Sequence, residues 1–302
     1  MALIDPDPAN GLRGPVTASM SFYAGTNDGQ PPYAYIGINR TPPTGQPRNN
    51  TLSESKVVTV TDMRGIESRF TLDTFGFQCV ADNRISEDLW RVLSDAAFDW
   101  NDEAVIGKRL HGPVEALLKK EVEGARHVAV FSCIKRSSDK NDQPKASAPA
   151  TLVHVDQTPA MGFERIDLLP LELQHSVRDG SMRCRIINVW IPLVEHVFDY
   201  PLALGDSRSC REEDLVSVKT FLKARDGENS RVRYSKDMDF YYWSGMTRRE
   251  ALLVKCFDTR LENDATGSRS RTPHGSFKDP RIPSDNTTPV RKSVEARCLV
   301  IG

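Results

Sequence analysis

Hydrophobic positions change their spacing several times along the chain. In KVVTVTDMRGIESRFTLDTFGFQCV (56–80), two β-branched or aromatic runs flank Asp62-Met63-Arg64-Gly65, and that turn chemistry predicts a hairpin. In SEDLWRVLSDAAFDW, Leu89, Val92, Leu93, Ala96 and Trp100 recur at helical spacing, with Ser86 placed to cap the N-terminus. In GPVEALLKKEVEGA, Val114, Leu117, Leu118 and Val122 form a second stripe behind a first-turn proline, Pro113. Both helices are expected on one face of a sheet. After Gly124 the apolar runs shorten to RHVAVFSCIKR, ATLVHVD, RCRIINVWIPLV, DFYYWS, ALLVKCFDT and SVEARCLVIG, broken by polar or proline-rich turns. That rhythm predicts a mainly β protein with flanking helices, an α+β chain built on a sandwich or jelly roll. Residues 1–54 are rich in Pro, Gly and Asn and carry scattered aromatics such as Phe22, Tyr23, Tyr33 and Tyr35, so an irregular arm is expected there. Segments 137–149 and 260–273 read as charged, mobile loops. With no internal repeat and no linker, residues 1–302 are expected to form a single domain: the arm (1–54), hairpin and supporting helices (55–125), and a strand-rich core (126–302).

Composition narrows the classes. With 302 residues, 39% hydrophobic and 27% charged, and 19 Gly and 19 Pro, the chain is neither collagen, coiled coil nor wholesale disorder. A formal charge of -1 supplies no field for a polyanion or an acidic bilayer, so neither nucleic acid nor membrane is expected as a partner. MALIDPDPANGLRGP lacks a basic n-region and an apolar h-region, and no run approaches the roughly 18 apolar residues of a membrane span. A cytoplasmic location follows as the expectation, with the sequons at Asn39, Asn49 and Asn286 as chance matches. The six cysteines, Cys79, Cys133, Cys184, Cys210, Cys256 and Cys298, lie far apart and without CxxC pairs, as reduced and mostly core thiols would. The oligomeric state is left open.

Candidate chemistry concentrates in a few residues. In TLVHVDQTP, His154 and Asp156 are two apart on an expected strand, which aims both side chains at one point. With His274, in TPHGSFKDP, they make the set of a two-histidine, one-carboxylate facial triad, the arrangement that leaves coordination positions open on iron. A strand-end pair and a surface histidine would fit the same residues. In PVRKSVEARCLVIG, Arg291, Ser293 and Arg297 share a face of a regular strand. A guanidinium fork and a hydroxyl suit a carboxylate, so a dicarboxylate cosubstrate anchored at its far end could chelate the metal with its 2-oxo acid end. Arg185, Asn188, Trp190, Tyr241, Tyr242 and Trp243 are candidates for contacting substrate, with Asn188 also counted among the cosubstrate residues; aromatics at alternating strand positions equally suit a core. Lys255, a charge inside an apolar strand, would neutralise a buried carboxylate or reach the rim. There is no GxxxxGK[ST], no GxGxxG after a strand and no HExxH. Two other classes fit the residues: a non-catalytic jelly-roll binding protein, and a zinc-dependent hydrolase using the same triad.

An ordered series of motifs adds a resemblance: DMRG (62–65), FTLDTFGF (70–77), HVDQTP (154–159), IINVWIPL (186–193), PLALGDSRS (201–209), YYWSGM (241–246), LLVKCFD (252–258), PHGSF (273–277) and PVRKSVEARCLV (289–300). Over about residues 57–301 the chain resembles the oxygenase-like family named after the cephamycin 7α-hydroxylase component and a gibberellin desaturase. The resemblance implies a double-stranded β-helix, jelly-roll or cupin-like. It implies dependence on Fe(II), 2-oxoglutarate and O2, the metal held by His154, Asp156 and His274, and a small-molecule substrate. Arg291 and Ser293 match an R-x-S element that holds the 2-oxoglutarate carboxylate in related oxygenases. The span from His274 to Arg291 is longer than usual there, which makes Arg297 the alternative anchor. Ile191 stands where the family commonly has an arginine after NVW, which puts a substrate contact from that position in doubt. One similar branch holds fungal oxygenases of secondary metabolism that turn the amino acid L-valine into an aziridine. Hydroxylation, desaturation and ring formation are thus the expected outcomes.

Overall fold

The computed structural model describes residues 12–35, 40–142, 146–221, 226–262, 270–283 and 289–302. The elements run β1 (Val16–Thr26), β2 (Tyr33–Tyr35), β3 (Thr51–Asp62), β4 (Phe77–Val80), α1 (Glu87–Ser94), α2 (Glu103–Arg109), α3 (His111–Glu121), β5 (His127–Ser137) and β6 (His154–Val155). They continue with α4 (Pro159–Arg165), α5 (Leu171–Arg178), β7 (Cys184–Pro192), β8 (Leu202–Gly205), β9 (Leu215–Phe221), β10 (Asp226–Val232), β11 (Phe240–Tyr242), β12 (Ala251–Asp258), β13 (His274–Ser276) and β14 (Lys292–Ile301). Two sheets face each other. The larger has the order β1-β3-β11-β8-β13-β6-β10-β9-β2, the smaller β4-β12-β7-β14-β5.

The smaller sheet is covered on both sides, which explains why its strands read as unbroken apolar runs. Every residue of β7 and β12 is buried. Alternation still sorts their side chains. Ile186, Trp190, Leu252 and Val254 join the core between the sheets, while Ile187, Val189, Ile191 and Leu253 pack under α1, α2 and α3 with Leu89, Ile106, Leu117 and Leu118. The two expected helices therefore do share one face of a sheet.

Ser86 caps α1, its side chain accepting from the Leu89 amide at 3.2 Å. The helix stops at Ser94 rather than running to Trp100, because aspartates redirect the backbone. Asp95 accepts from the Ala97 amide and Asp99 from the Asn101 amide, each at 2.9 Å, and Asp102 then caps α2 through the Ala104 amide at 2.8 Å.

Two further expectations are corrected. Val57–Val80 is not a hairpin: β3 pairs with β1 and β11 in the larger sheet, and β4 pairs with β12 in the smaller one. Asp62–Gly65 turns a corner between sheets, fixed by Asp62 accepting from the Arg64 and Ser244 amides and by Arg64 paired with Glu250. The segment 1–54 is not wholly irregular, since β1 forms a long edge strand on β3. Its buried positions Val16, Ala18, Met20 and Phe22 alternate with polar ones, a pattern muted by the small residues between them. Residues 1–11, part of each expected loop, and the sequons at Asn39 and Asn286 lie outside the described residues. All six cysteines are free, five buried and Cys133 half-buried. Among the described residues no helix is long and apolar enough to cross a membrane.

Candidate metal centre and its cavity

β13 lies between β8 and β6, and in that register His274 sits opposite His154. The pairing brings the imidazoles to 4.5 Å between ring centroids. Asp156 follows β6 directly, so the three side chains converge although they come from distant parts of the chain. One ligand atom from each lies within 4.8 Å of the other two.

Local backbone sets which atoms face inward. Nδ1 of His154 is 2.8 Å from the Leu152 carbonyl, and Nδ1 of His274 is 2.9 Å from the Thr272 carbonyl. A carbonyl only accepts, so each Nδ1 carries a proton, which leaves Nε2 as the atom through which each ring can ligate. The Nε2 atoms point at Asp156, at 3.6 Å from Oδ1 for His154 and 4.0 Å from Oδ2 for His274. Burial, with His274 alongside, holds the His154 pKa down and its ring neutral. Burial alone would raise the Asp156 carboxyl, but the Arg297 guanidinium beside it outweighs burial and holds it well below the usual carboxylate range. Two imidazoles presenting Nε2 and one carboxylate, converging and buried, are the donor set of a divalent transition metal with open positions.

The facing strands of the smaller sheet supply the surroundings. Ser293, Glu295 and Arg297 of β14 alternate with Val294, Ala296 and Cys298, which pack on the helix side. Arg297 is the register partner of Asn188. Arg297 Nη2 donates to Asp156 Oδ1 at 2.8 Å and its Nε to Glu295 at 3.0 Å, while Asn188 Nδ2 donates to Asp156 Oδ2 at 2.5 Å. Arg297 thus has two carboxylate partners. Arg291 has none within ion-pair distance among the described residues: it is fully buried, hydrogen-bonds to Ser293 Oγ, Ser276 Oγ and the Tyr200 carbonyl, and lies over the Trp190 ring. Burial and the neighbouring Arg136 depress its pKa. Asp199 and Glu295 act on it from beyond ion-pair distance and offset this in part. Arg291, Trp190, Ser276 and both histidines line one small recess.

A cavity of about 410 Å³ opens at His154 and Asp156, with Arg136, Gln157, Arg165, Glu228, Asn229, Arg231 and Arg297 in its wall. Arg185, Tyr241 and Trp243, expected as substrate contacts, do not line it. Arg185 shares the helix-side face of β7 with Ile187 and donates to the Glu123 carbonyl; Tyr241 packs on Phe70 and Phe75; Trp243 donates to Glu67 under Arg64. Asn188 and Trp190, on the inner face, do reach the centre. Lys255 neutralises a buried carboxylate, 3.6 Å from Asp258. Arg165, Arg231, Glu228 and Asn229 were not legible from sequence. Arg165 reads as an ordinary helix-end cation, and the others lie in a polar strand, β10, that lacks an apolar period.

Of the family series, HVDQTP, IINVWIPL, PHGSF and PVRKSVEARCLV supply residues at this centre, and the comparisons agree. A family described as oxidoreductase/YMDC permease-like domain matches residues 20–301. The Fe(II)/2-oxoglutarate-dependent dioxygenase nvfI of Aspergillus novofumigatus is 33% identical over 87% of this chain and 89% of its own length. This chain belongs to the Fe(II)/2-oxoglutarate-dependent oxygenases. The hydroxylase/desaturase poxK of Penicillium oxalicum is 28% identical over 99% of this chain and 94% of its own length. A solved structure of the iron and alpha-ketoglutarate-dependent endoperoxidase NvfI superimposes with a TM-score of 0.77 over 96% of this chain and 99% of its own, at 29% identity. The jelly-roll fold, dependence on Fe(II), 2-oxoglutarate and O2, and assignment as a dioxygenase follow.

Proposed function

We propose that this oxygenase removes hydrogen from an unactivated C–H bond of a small amino acid or secondary-metabolite intermediate, leading to hydroxylation, desaturation or closure of a ring such as an aziridine. We assign the metal to Nε2 of His154, Nε2 of His274 and the Asp156 carboxylate. The observation that carries the reading is this convergence of two oriented imidazoles and one anionic carboxylate beside a cavity. Iron bound there, with 2-oxoglutarate and O2, supplies the oxidising power for C–H cleavage.

The chain's own residues do the rest. Leu152 and Thr272 hold the imidazoles in the ligating tautomer through their carbonyls. Arg297 and Asn188 each take one oxygen of Asp156, fixing its orientation and keeping it ionised. Arg291, buried without a carboxylate partner, and Ser293 accept the distal carboxylate of 2-oxoglutarate, an assignment favoured over Arg297 because Arg297 is already matched by Asp156 and Glu295. The whole chain acts as one domain, and a cytoplasmic location suits such an enzyme. The test is succinate formation from 2-oxoglutarate with Fe(II) and air, across a panel of amino acids, L-valine first, and small terpenoid or peptide acids. Coupled, substrate-dependent succinate is expected. Hydrolysis with bound zinc and no O2 uptake would contradict the reading.

A further inference from the structure

We infer that the substrate carries a carboxylate, bound by Arg165 and Arg231 beside the metal centre. The inference rests on the oxygenase reading and adds the substrate's chemical class.

Arg165 ends α4, and Arg231 lies on β10, where it is the register partner of His154. α4 packs against β10, so both guanidinium groups reach the same cavity wall. The Nε atoms of both are buried and meet no hydrogen-bond acceptor among the described residues. A buried donor left unpaired destabilises the fold, more so on a charged group, so the folded chain gains when a ligand supplies the acceptor. Asp156 acts on Arg231 from beyond ion-pair distance, its oxygens bonded by Arg297 and Asn188. Arg297 is matched by Asp156 and Glu295, and Arg291 is assigned to the cosubstrate. Besides Asp156, the wall's acid is Glu228, which accepts from Thr158 Oγ1 at 3.1 Å. The wall keeps a positive excess, to which Arg136 adds, and such a cavity concentrates anions. Guanidinium forks match a carboxylate in plane and spacing.

The same wall also lacks a donor. Oδ1 of Asn229 is buried without a partner among the described residues, two residues from Arg231 on the same strand face and next to Glu228. The carboxylate therefore comes with an N–H or O–H group beside it, which makes the class a small amino or hydroxy acid.

The test uses the full chain with Fe(II) and 2-oxoglutarate under anaerobic conditions and reads the perturbation of the visible charge-transfer band. The probes are the protein L-amino acids and the matching 2-hydroxy acids, each beside its carboxamide. At least one acid is expected to shift the band saturably, with its carboxamide binding at least about tenfold more weakly. Arg165→Gln and Arg231→Gln are each expected to weaken that acid about tenfold or more while showing the parent band before acid is added. Arg231→Lys, which keeps the charge, recovers part of the loss, and it carries the comparison should a glutamine variant melt early. Acids and amides of equal effect, no acid with any effect, or parent-like acid affinity in both glutamine variants would overturn the proposal. Loss of the band itself in those variants would also overturn it, by making the two arginines cosubstrate residues. No band in the unaltered protein would strike the oxygenase reading, and the substrate class with it.

Discussion

Two arginines, Arg291 just before β14 and Arg297 on it, illustrate what counter-ions decide. Arg297 sits between Asp156 and Glu295, whereas Arg291 is buried among hydroxyls and a carbonyl. Arg291→Gln is expected to raise the KM for 2-oxoglutarate about 10- to 100-fold, the scale of a charge-assisted hydrogen bond, with little change in metal affinity. Arg297→Ala is expected to weaken Fe(II) binding by about 10- to 100-fold, as loss of a ligand's orienting partner does. Metal titration beside 2-oxoglutarate kinetics separates the two; the reverse split would exchange their roles. The sequence placed both side chains on one face but left the anchor open, because the choice turns on Asp156, which reaches Arg297 only through the fold. The cysteines carry another consequence. Burial pushes the Cys133 thiol up to about 11, and Cys184 and Cys210 to about 12. The thiolate is the reactive form, so little is present near pH 8. Mass spectrometry after brief alkylation of the native chain is expected to find at most half-buried Cys133 modified; rapid labelling of the others would contradict the packing.

Among the elements, those with a strong period were readable and those set by partners were not. α1 and α3, β5, β7, β12 and β14 follow apolar patterns in the sequence. β8 and β13 are too short to show one, and β9 and β10 are polar; these strands exist because neighbours complete their ladders. The metal site depends on them, since His274 is placed by a three-residue strand, β13, held between β8 and β6. α4 is another such element. Its Gly162 lets the helix lie directly on β12: a Cβ there would fall 2.1 Å from Cδ2 of Phe257. Gly162→Ala is therefore expected to cost about 1–3 kcal/mol, the range of core overpacking, and to displace the helix that carries Met161 and Arg165 into the cavity. Denaturant unfolding checks the first effect. An unchanged midpoint would show that α4 yields without loss.

At the scale of the whole molecule, two sheets hold the site between them. The larger carries His154 and His274, and the smaller brings Asn188, Arg291 and Arg297 to face them. A metal that bridges β6 and β13 binds the folded chain and not the unfolded one, so it stabilises in proportion to its occupancy. Mn(II), which does not turn over, is expected to raise the melting temperature of the parent in a concentration-dependent way and to leave Asp156→Ala unmoved. The most direct measurement is an anaerobic titration of Fe(II) into the chain with saturating 2-oxoglutarate, followed by visible charge-transfer absorption. Saturation at one iron per chain is expected, with no band in His154→Ala or His274→Ala. A full band in His274→Ala, at the parent's stoichiometry, would contradict it.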